Sequence, residues 1–191
     1  MHRNPKQHPF SMNPQMFNMY PYLFFGAPQM MYPPMYFSNM PLYKSSSNMP
    51  IPPLKDYGPE PFVIDIEEAT EQNNTFRTAL WTGDNLQVTL MSIDIGNDIG
   101  LEVHTNGDQF IRIEDGDALV MMGDREDNLD FQRRVYGDSA IMIPTGKWHN
   151  IINIGNKPLK LYAIYAPPEH PKGTVHNTKQ DAENTESNRI Y

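Results

Sequence analysis

Four side chains of the types that ligate metals stand in two short segments of the chain. They are Glu102, His104 and Gln109 in "GLEVHTNGDQFIRIEDG" (residues 100–116) and His149 in "PTGKWHNIIN" (residues 144–153). Residues two apart on a strand point to the same face, so we expect Glu102 and His104 to project together. A turn at "TNGD" then returns the chain and brings Gln109 beside them. The second segment adds His149 as a fourth candidate, because a Pro-x-Gly turn leads into its strand.

Convergence of these side chains inside a folded core requires a partner for them. A buried polar group without a hydrogen bond costs roughly 1–3 kcal/mol, and a metal ion would satisfy several such groups at once. Taken singly, each histidine is better explained as a structural residue. Four ligand-type residues in two separate turn and strand units favour a metal site instead.

The elements that must position these residues are short strands. From about residue 58, alternating apolar runs are broken by Asn, Gly and Asp, which is typical of strands joined by turns. The predicted strands are 86–95, 109–116, 118–124, 139–144, 150–156 and 159–167. Only residues 66–73, "IEEATEQN", indicate a short helix. Many short strands at close spacing predict an all-β sandwich, jelly roll or barrel.

The two segments resemble the two sequence motifs of the cupin superfamily. The first motif maps onto Gly96, five residues, Glu102-x-His104, four residues, Gln109, six residues and Gly116. Glu102 stands where the family has its first His, and Gln109 stands where it has Glu. The second motif maps onto Gly137, Pro144, Gly146, His149 and Asn153, with one extra residue between Gly137 and Pro144. The resemblance covers about residues 86 to 167.

This resemblance implies a double-stranded β-helix, which is a small jelly-roll barrel with one metal ion near its axis. The implied ligands are Glu102, His104, Gln109 and His149. Two nitrogens and two oxygens suit divalent Zn, Mn, Fe, Ni or Co, and the sequence does not choose among these metals. The alternative is a barrel that has lost its metal and keeps these residues as a hydrogen-bonded polar core.

The ligand types also resemble those of the zinc-dependent phosphomannose isomerases, which are cupins with Gln, His, Glu and His. Glu and Gln are exchanged in order here, and we find no phosphate-binding cluster to match those enzymes. The resemblance suggests a metal-dependent isomerase, with an oxygenase as the alternative reaction, acting on a small-molecule ligand in the barrel.

Other residues near the motifs are weaker candidates for catalysis. Asp108 lies beside the ligand cluster, Arg112 is suited to a substrate carboxylate, and Tyr162 and Tyr165 lie on the last predicted strand. Asp108 is better explained as a turn residue, because "NGD" is a turn signal. Strict alternation points Arg112 out of the barrel, where a cross-strand pair with Glu114 accounts for it.

Composition divides the chain into a domain and two tails. Residues 1–57 hold nine of the 13 methionines, 11 of the 18 prolines and six of the 10 tyrosines. We predict a disordered Pro/Met/Tyr-rich tail there. Its aromatic and methionine side chains are suited to binding other proteins, and its composition resembles that of tails in some bacterial spore-coat proteins. The cupin domain is predicted at 58–168. Residues 169–191 are polar without periodicity, so we predict a disordered C-terminal tail whose histidines, His170 and His176, are solvated.

Charge and cysteine content exclude several classes of function. The whole chain has a formal charge of −8. Residues 1–57 carry +3, so the remaining residues carry −11. An acidic body argues against nucleic acid as the partner. The absence of cysteine removes thiol enzymes and Cys-based zinc sites. No phosphate loop, Ser-His-Asp set or dinucleotide fingerprint is present.

No stretch of the sequence is typical of a signal peptide or of a membrane span. Residues 20–37 are apolar and uncharged, but four prolines, at 21, 28, 33 and 34, are incompatible with one lipid-facing helix. We therefore expect a cytoplasmic protein without a transmembrane segment, with association with a spore as the alternative.

Two classes of function remain open at this point. The first is a small metal-dependent enzyme acting on a sugar or a small organic acid. The second is a binding or structural barrel that its N-terminal tail recruits into an assembly such as a spore coat. In either case the open edges of the sheets favour a homodimer.

Overall fold

The structure is a computed structural model, and it describes residues 51 to 187. The tail predicted for residues 1–57 therefore lies outside the described residues as far as residue 50. Residues 51–57 differ from that prediction, because Ile51, Leu54 and Tyr57 pack against a buried cluster that contains Leu80 and Leu90. Burial of their apolar surface makes this segment part of the domain.

Nine strands and two helices are present between residues 51 and 187. They are α1 (Ile66–Gln72), β1 (Arg77–Thr82), β2 (Gln87–Ile93), β3 (Asp108–Asp115), β4 (Asp117–Gly123), β5 (Phe131–Tyr136), β6 (Ala140–Ile143), β7 (Trp148–Asn153), β8 (Leu159–Ala166), β9 (Val175–His176) and α2 (Lys179–Ser187). The six predicted strands correspond to β2, β3, β4, β6, β7 and β8, and the predicted helix corresponds to α1.

The strands form two antiparallel sheets. One sheet has six strands in the order β6-β3-β8-β2-β1-β9, and the other has three in the order β5-β4-β7. Neighbours in a sheet are mostly distant along the chain; β3, for example, pairs with both β6 and β8. The predicted all-β jelly-roll architecture is confirmed.

The core lies between the two sheets and follows from the alternation along each strand. In β8 every second side chain is buried, from Leu159 through Leu161 and Ala163 to Tyr165. Ile151 of β7 belongs to the same cluster from the opposite sheet. Because alternate residues of a strand point to opposite faces, one face of β8 supplies both the core and, at Tyr165, a wall of the site described below.

Residues 169–187 include strand β9 and helix α2, which corrects over this range the disordered tail predicted for residues 169–191; residues 188–191 lie outside the described residues. Strand β9 pairs with β1 in the register Arg77↔His176, and α2 follows it. The side-chain amide of Gln87 donates to the carbonyl of His170 at 2.9 Å and accepts from its N–H at 3.0 Å. His170 and His176 are buried rather than solvated. The segment is polar, yet these hydrogen bonds satisfy its backbone and fix it on the six-stranded sheet.

Candidate metal centre

The two motif segments meet through their backbones. The N–H of Glu102 donates to the carbonyl of His149 at 3.0 Å, and the N–H of His149 donates to the carbonyl of Glu102 at 2.9 Å. A further bond joins the N–H of Gly146 to the carbonyl of His104 at 2.8 Å. Glu102 and His104 were predicted on a regular strand, but they lie in the connection between β2 and β3. The bridge to β7 replaces the expected strand and still brings their side chains together.

His149 is held in one orientation by its own turn. Its side chain is fully buried, and its Nδ1 lies 2.9 Å from the carbonyl oxygen of Lys147. A carbonyl oxygen only accepts, so Nδ1 donates and the lone pair of a neutral imidazole is on Nε2. That Nε2 lies 3.3 Å from Oε1 of Glu102. The ring therefore presents a ligand atom at the point where the predicted site requires one.

His104 lies between two carboxylates. Its Nε2 is 3.5 Å from Oε1 of Glu102, and its Nδ1 is 3.4 Å from Oε2 of Glu169. One ligand atom from each of Glu102, His104 and His149 lies within 4.8 Å of the others. The structure thus brings together three of the four predicted ligands and adds Glu169, which sequence reasoning missed because it assigned that residue to a disordered tail.

Gln109, the fourth predicted ligand, lies on β3 opposite Tyr165 of β8. Its side chain is buried, and its Oε1 has no hydrogen-bond partner among the described residues. The ring of Tyr165 lies edge-on to His104 with centroids 5.5 Å apart, so the strand neighbour of Gln109 borders the cluster. Coordination by Gln109 stays a prediction.

The four predicted ligand atoms share one property. Within residues 51–187, Oε1 of Glu102, Nε2 of His104, Oε1 of Gln109 and Nε2 of His149 are all buried and without a hydrogen bond. The contacts of 3.3 to 3.5 Å between three of them do not have hydrogen-bond geometry. Each such atom costs roughly 1–3 kcal/mol when it is left unsatisfied. A cation bound between them would satisfy these atoms, so the residues present fit a metal ion.

Charge at the site follows from burial and from the neighbouring groups. Burial alone would raise the pKa of the Glu102 carboxyl, but the neighbouring His104 and the charge of Arg77 outweigh it and hold that pKa below its usual range. Burial would lower the pKa of His104, but Glu102 and Glu169 outweigh it and raise the pKa to about 9. Without metal, the site at neutral pH therefore contains an ionised Glu102 and a protonated His104.

The pKa of His104 predicts that metal binding is coupled to proton release. A metal ion needs the unprotonated imidazole, so its apparent affinity should rise about tenfold per pH unit between pH 6.5 and 9. The raised pKa stabilises the metal-free fold fully below pH 6.5, and this contribution is lost as pH rises through about 9. Calorimetric titration in buffers of different ionisation enthalpy should report about one proton released per ion at pH 7. Binding without proton release would contradict the prediction.

Glu169 is expected to strengthen metal binding through His104. A carboxylate on the second nitrogen of a ligating histidine fixes its orientation, and loss of such a partner typically weakens metal affinity by about 10–100-fold. Glu169→Gln should show a loss of this size in a competition assay with a chromophoric chelator, and Glu126→Gln, at an exposed acidic position, should not. Equal affinities in the two variants would mean that the contact with Glu169 does not orient the ligand.

The remaining candidates for catalysis are accounted for by other contacts. Asp108 was predicted as a turn residue but is the first residue of β3, where it accepts hydrogen bonds from the N–H and the hydroxyl of Thr145 at 2.9 and 3.0 Å and so joins the two motif segments. Arg112 pairs with Glu114 at 3.0 Å and with Asp138 at 2.6 Å, away from the ligand cluster.

Both tyrosines differ from these residues in their surroundings. Tyr162 lies near Phe110, with ring centroids 6.2 Å apart, and its half-buried position raises its pKa. Tyr165 is buried in the core, and burial is the main cause of the strongly raised pKa of its hydroxyl. Tyr165 is therefore a neutral phenol that borders the cluster, which keeps it as a candidate hydrogen-bond donor.

Two small pockets flank the ligand cluster. One has a volume of about 80 Å³ and is lined by His104, Tyr165 and Glu169, among others. The other has a volume of about 200 Å³ and is lined by Glu102 and Arg77, among others. A larger groove of about 490 Å³ lies at β5 and β6 and contains none of the four predicted ligands. We assign the chemistry to the cluster because ligand atoms converge there and not in the groove.

Comparison with known proteins identifies the family. A family model described as "Cupin domain" matches residues 89–165, the part of the chain that contains the cluster. The chain is 69% identical over 129 residues to the uncharacterized protein YrkC of Bacillus subtilis (strain 168), which is 68% of this chain and 69% of that protein. The chain belongs to the cupin superfamily. This cupin is also 39% identical over 115 residues to the uncharacterized protein L612 of Acanthamoeba polyphaga mimivirus, covering 60% of this chain and 70% of that one.

A solved structure agrees with this assignment. The crystal structure of BH2720 from Bacillus halodurans matches this cupin with a TM-score of 0.68 and 62% sequence identity. The match covers 68% of this chain and 98% of that chain. In the part of the chain that the structure describes, neither helix is long and apolar enough to span a membrane.

Proposed function

We propose that this cupin binds one divalent transition-metal ion through Glu102, His104, Gln109 and His149 and uses it to act on a small molecule. The observation that carries the proposal is that the four ligand-type atoms are all buried and without a hydrogen bond among the described residues. A hydrogen-bonded polar core, the alternative without metal, would instead satisfy these atoms in pairs. Zn, Mn, Fe, Ni and Co all suit two nitrogens and two oxygens.

The ion would supply Lewis-acid polarisation of a ligand oxygen or binding of an oxygen-containing ligand. The residues of the chain have separate roles around it. Lys147 orients His149 through its carbonyl, and Glu169 orients His104. The neutral hydroxyl of Tyr165 can donate a hydrogen bond, and the partly exposed carboxylate of Glu169 can accept a proton at the small pocket. Sugar isomerisation and oxygenation of a small organic acid are the two reaction classes to assay first.

The test is elemental analysis of untagged protein purified without added metal, compared with the double variant His104→Ala, His149→Ala. About one equivalent of a transition metal is expected in the natural chain and none in the variant. The matched control is His2→Ala, His8→Ala, which removes two histidines outside the described residues and should keep the metal. A natural chain that contains no metal and takes up none on dialysis would overturn the proposal.

The remaining expectations about partners belong with this proposal and need their own measurements. A homodimer predicts twice the chain mass in light scattering at the concentration used for the metal assay. A role of the N-terminal residues in binding other proteins predicts that deletion of residues 1–50 changes location but leaves the metal content unchanged.

A further inference from the structure

Within residues 51–187, strand β6 is an open edge of the six-stranded sheet, because it pairs there only with β3. Each of the other three sheet edges that the structure describes is protected. Strand β9 has only two residues, β5 carries the exposed pair Arg133 and Arg134, and β7 is bridged by Asp98 and Glu102. Strand β6 has the sequence Ala-Ile-Met-Ile, without a charged side chain. An apolar edge without such protection is suited to pairing with another strand.

The backbone groups that β6 directs outward are those of Ala140 and Met142. Hydrogen-bonded and non-hydrogen-bonded pairs alternate along two antiparallel strands. The N–H of Ile113 on β3 donates to the carbonyl of Ser139 at 3.0 Å, so Ile141, two residues further along, also directs its backbone groups to β3. The N–H and carbonyl groups of Ala140 and Met142 therefore point to the open edge.

Apolar depressions lie on both faces of β6. On the side of the core is the groove of about 490 Å³, whose lining includes Val120 and Val135. On the opposite face is a pocket of about 300 Å³, whose lining includes Phe110 and Ile164. Met142 borders both and is 66% exposed. Side chains of a strand alternate between its two faces, so a strand added beside β6 would place apolar side chains in the groove and the pocket in turn.

The partner strand with this chemistry is β6 of a second copy of the chain. When Ala140 lies opposite the partner's Met142 in an antiparallel arrangement, the outward groups form two hydrogen-bonded pairs about a two-fold axis. Charge favours β6 as the contact, because two acidic copies repel least at an uncharged strand. Self-pairing of β5 would instead bring Arg133 and Arg134 together with their own copies, and like charges across strands are destabilising.

Residues 1–50 of the same chain are less suited to this edge. They include nine prolines, and each proline lacks the N–H that an added strand must donate. A second β6 contains no proline and presents the complete set of donors and acceptors.

We propose that two copies of this cupin associate through β6, so that their six-stranded sheets become continuous across the dimer. The inference goes beyond the expected homodimer, because it assigns the interface, and it does not depend on the metal site. A four-residue edge forms a small interface, so we expect a dissociation constant on the order of 10 µM.

Met142→Pro tests the edge in the full chain, because the N–H that it removes points away from β3 and proline is tolerated at such positions. The matched control is Met142→Ala, which removes the same side chain but keeps the N–H. Sedimentation equilibrium should show a monomer–dimer equilibrium for the natural chain. A symmetric dimer loses the donor twice, so the dissociation constant should be at least about tenfold higher in Met142→Pro than in Met142→Ala.

Hydrogen exchange of the natural chain tests the same surface without a substitution. Above the dissociation constant, the amides of Ala140 and Met142 should exchange more slowly than in dilute protein. The amides of Arg133 and Arg134 on β5 are the internal control, and their exchange should be the same at both concentrations. This measurement stands even if Met142→Pro does not fold.

Three results would overturn the inference. A chain that stays monomeric at every concentration overturns it together with the expected homodimer. A dimer that forms equally well in Met142→Pro and Met142→Ala uses a different surface, which leaves the homodimer in place. Slow exchange of the Ala140 amide at every concentration would mean that a segment of the same chain occupies the edge. None of these results bears on the metal centre, whose occupancy is measured separately.

Discussion

Metal-loaded protein is expected to unfold at a temperature on the order of 10 °C higher than metal-free protein, when free metal exceeds its dissociation constant about a thousandfold. A ligand that binds only the folded state at this excess stabilises it by about 4 kcal/mol. The folded state brings three buried donor atoms within 4.8 Å of one another, and the unfolded chain does not hold them together. Calorimetry of the same preparation, before and after treatment with a chelator, measures the difference.

His149→Ala is the variant that ties this stabilisation to the centre. It removes the ligand whose orientation is fixed by the carbonyl of Lys147, so added metal should no longer raise the melting temperature. Asn156→Ala, at an exposed position beyond the end of β7, should keep the full increase. An equal increase in His149→Ala would place the stabilising ion elsewhere on the molecule.

The cluster of Glu102, His104 and His149 was predictable from sequence because its residues stand in two segments whose spacing resembles the cupin motifs. Glu102, His104 and His149 were expected to converge, and the structure brings a ligand atom of each within 4.8 Å of the others. Strand alternation was expected to align Glu102 with His104, but neither residue lies on a named strand. A two-bond bridge between Glu102 and His149 does this instead, and such a bridge leaves no periodic pattern in the sequence.

Four elements, β1, β5, β9 and α2, were not predicted, and three of them were missed for different physical reasons. Strand β1 is buried at four successive positions, from Arg77 to Leu80, so it has no alternation to detect. Strand β5 is the opposite case, because it is an edge strand with nearly every residue exposed. Helix α2 is polar throughout most of its length and contributes chiefly Ala182 to the core. Its position depends on tertiary contacts such as the ion pair of Lys179 with Asp98, which no local pattern predicts.

The segments that were not predicted matter for function because they contain residues that surround the predicted ligands. Arg77 belongs to β1, Glu169 follows β8, and Lys179 begins α2. The motifs specify which atoms could hold a metal, whereas the elements outside the motifs determine the charge and the space next to those atoms. For this reason the sequence predicted a metal site and left its substrate open.

Asn153, the last residue of the second motif, is expected to be essential for stability rather than for binding. Its side chain is 1% exposed, and its Nδ2 donates to the carbonyls of Ile93 and Lys157, each at 2.9 Å. Its Oδ1 accepts from the N–H of Gly155 at 2.9 Å. One amide therefore joins the end of β2 to the turn between β7 and β8. Asn153→Ala leaves three backbone groups without this partner and should lower the free energy of unfolding by about 3 kcal/mol.

Urea denaturation measures this change, and Asn156→Ala, the same substitution at an exposed position, should alter the free energy of unfolding by no more than about 0.5 kcal/mol. Asn153→Asp separates hydrogen bonding from shape, because aspartate keeps the acceptor for Gly155 but has no donors for the two carbonyls. It should therefore be at least as destabilising as alanine, since an ionised carboxylate would face two buried carbonyl oxygens. If Asn153→Ala unfolds at the same urea concentration as Asn156→Ala, the three hydrogen bonds of Asn153 make no net contribution to stability. A different contact would then have to explain why the motif has asparagine at this position.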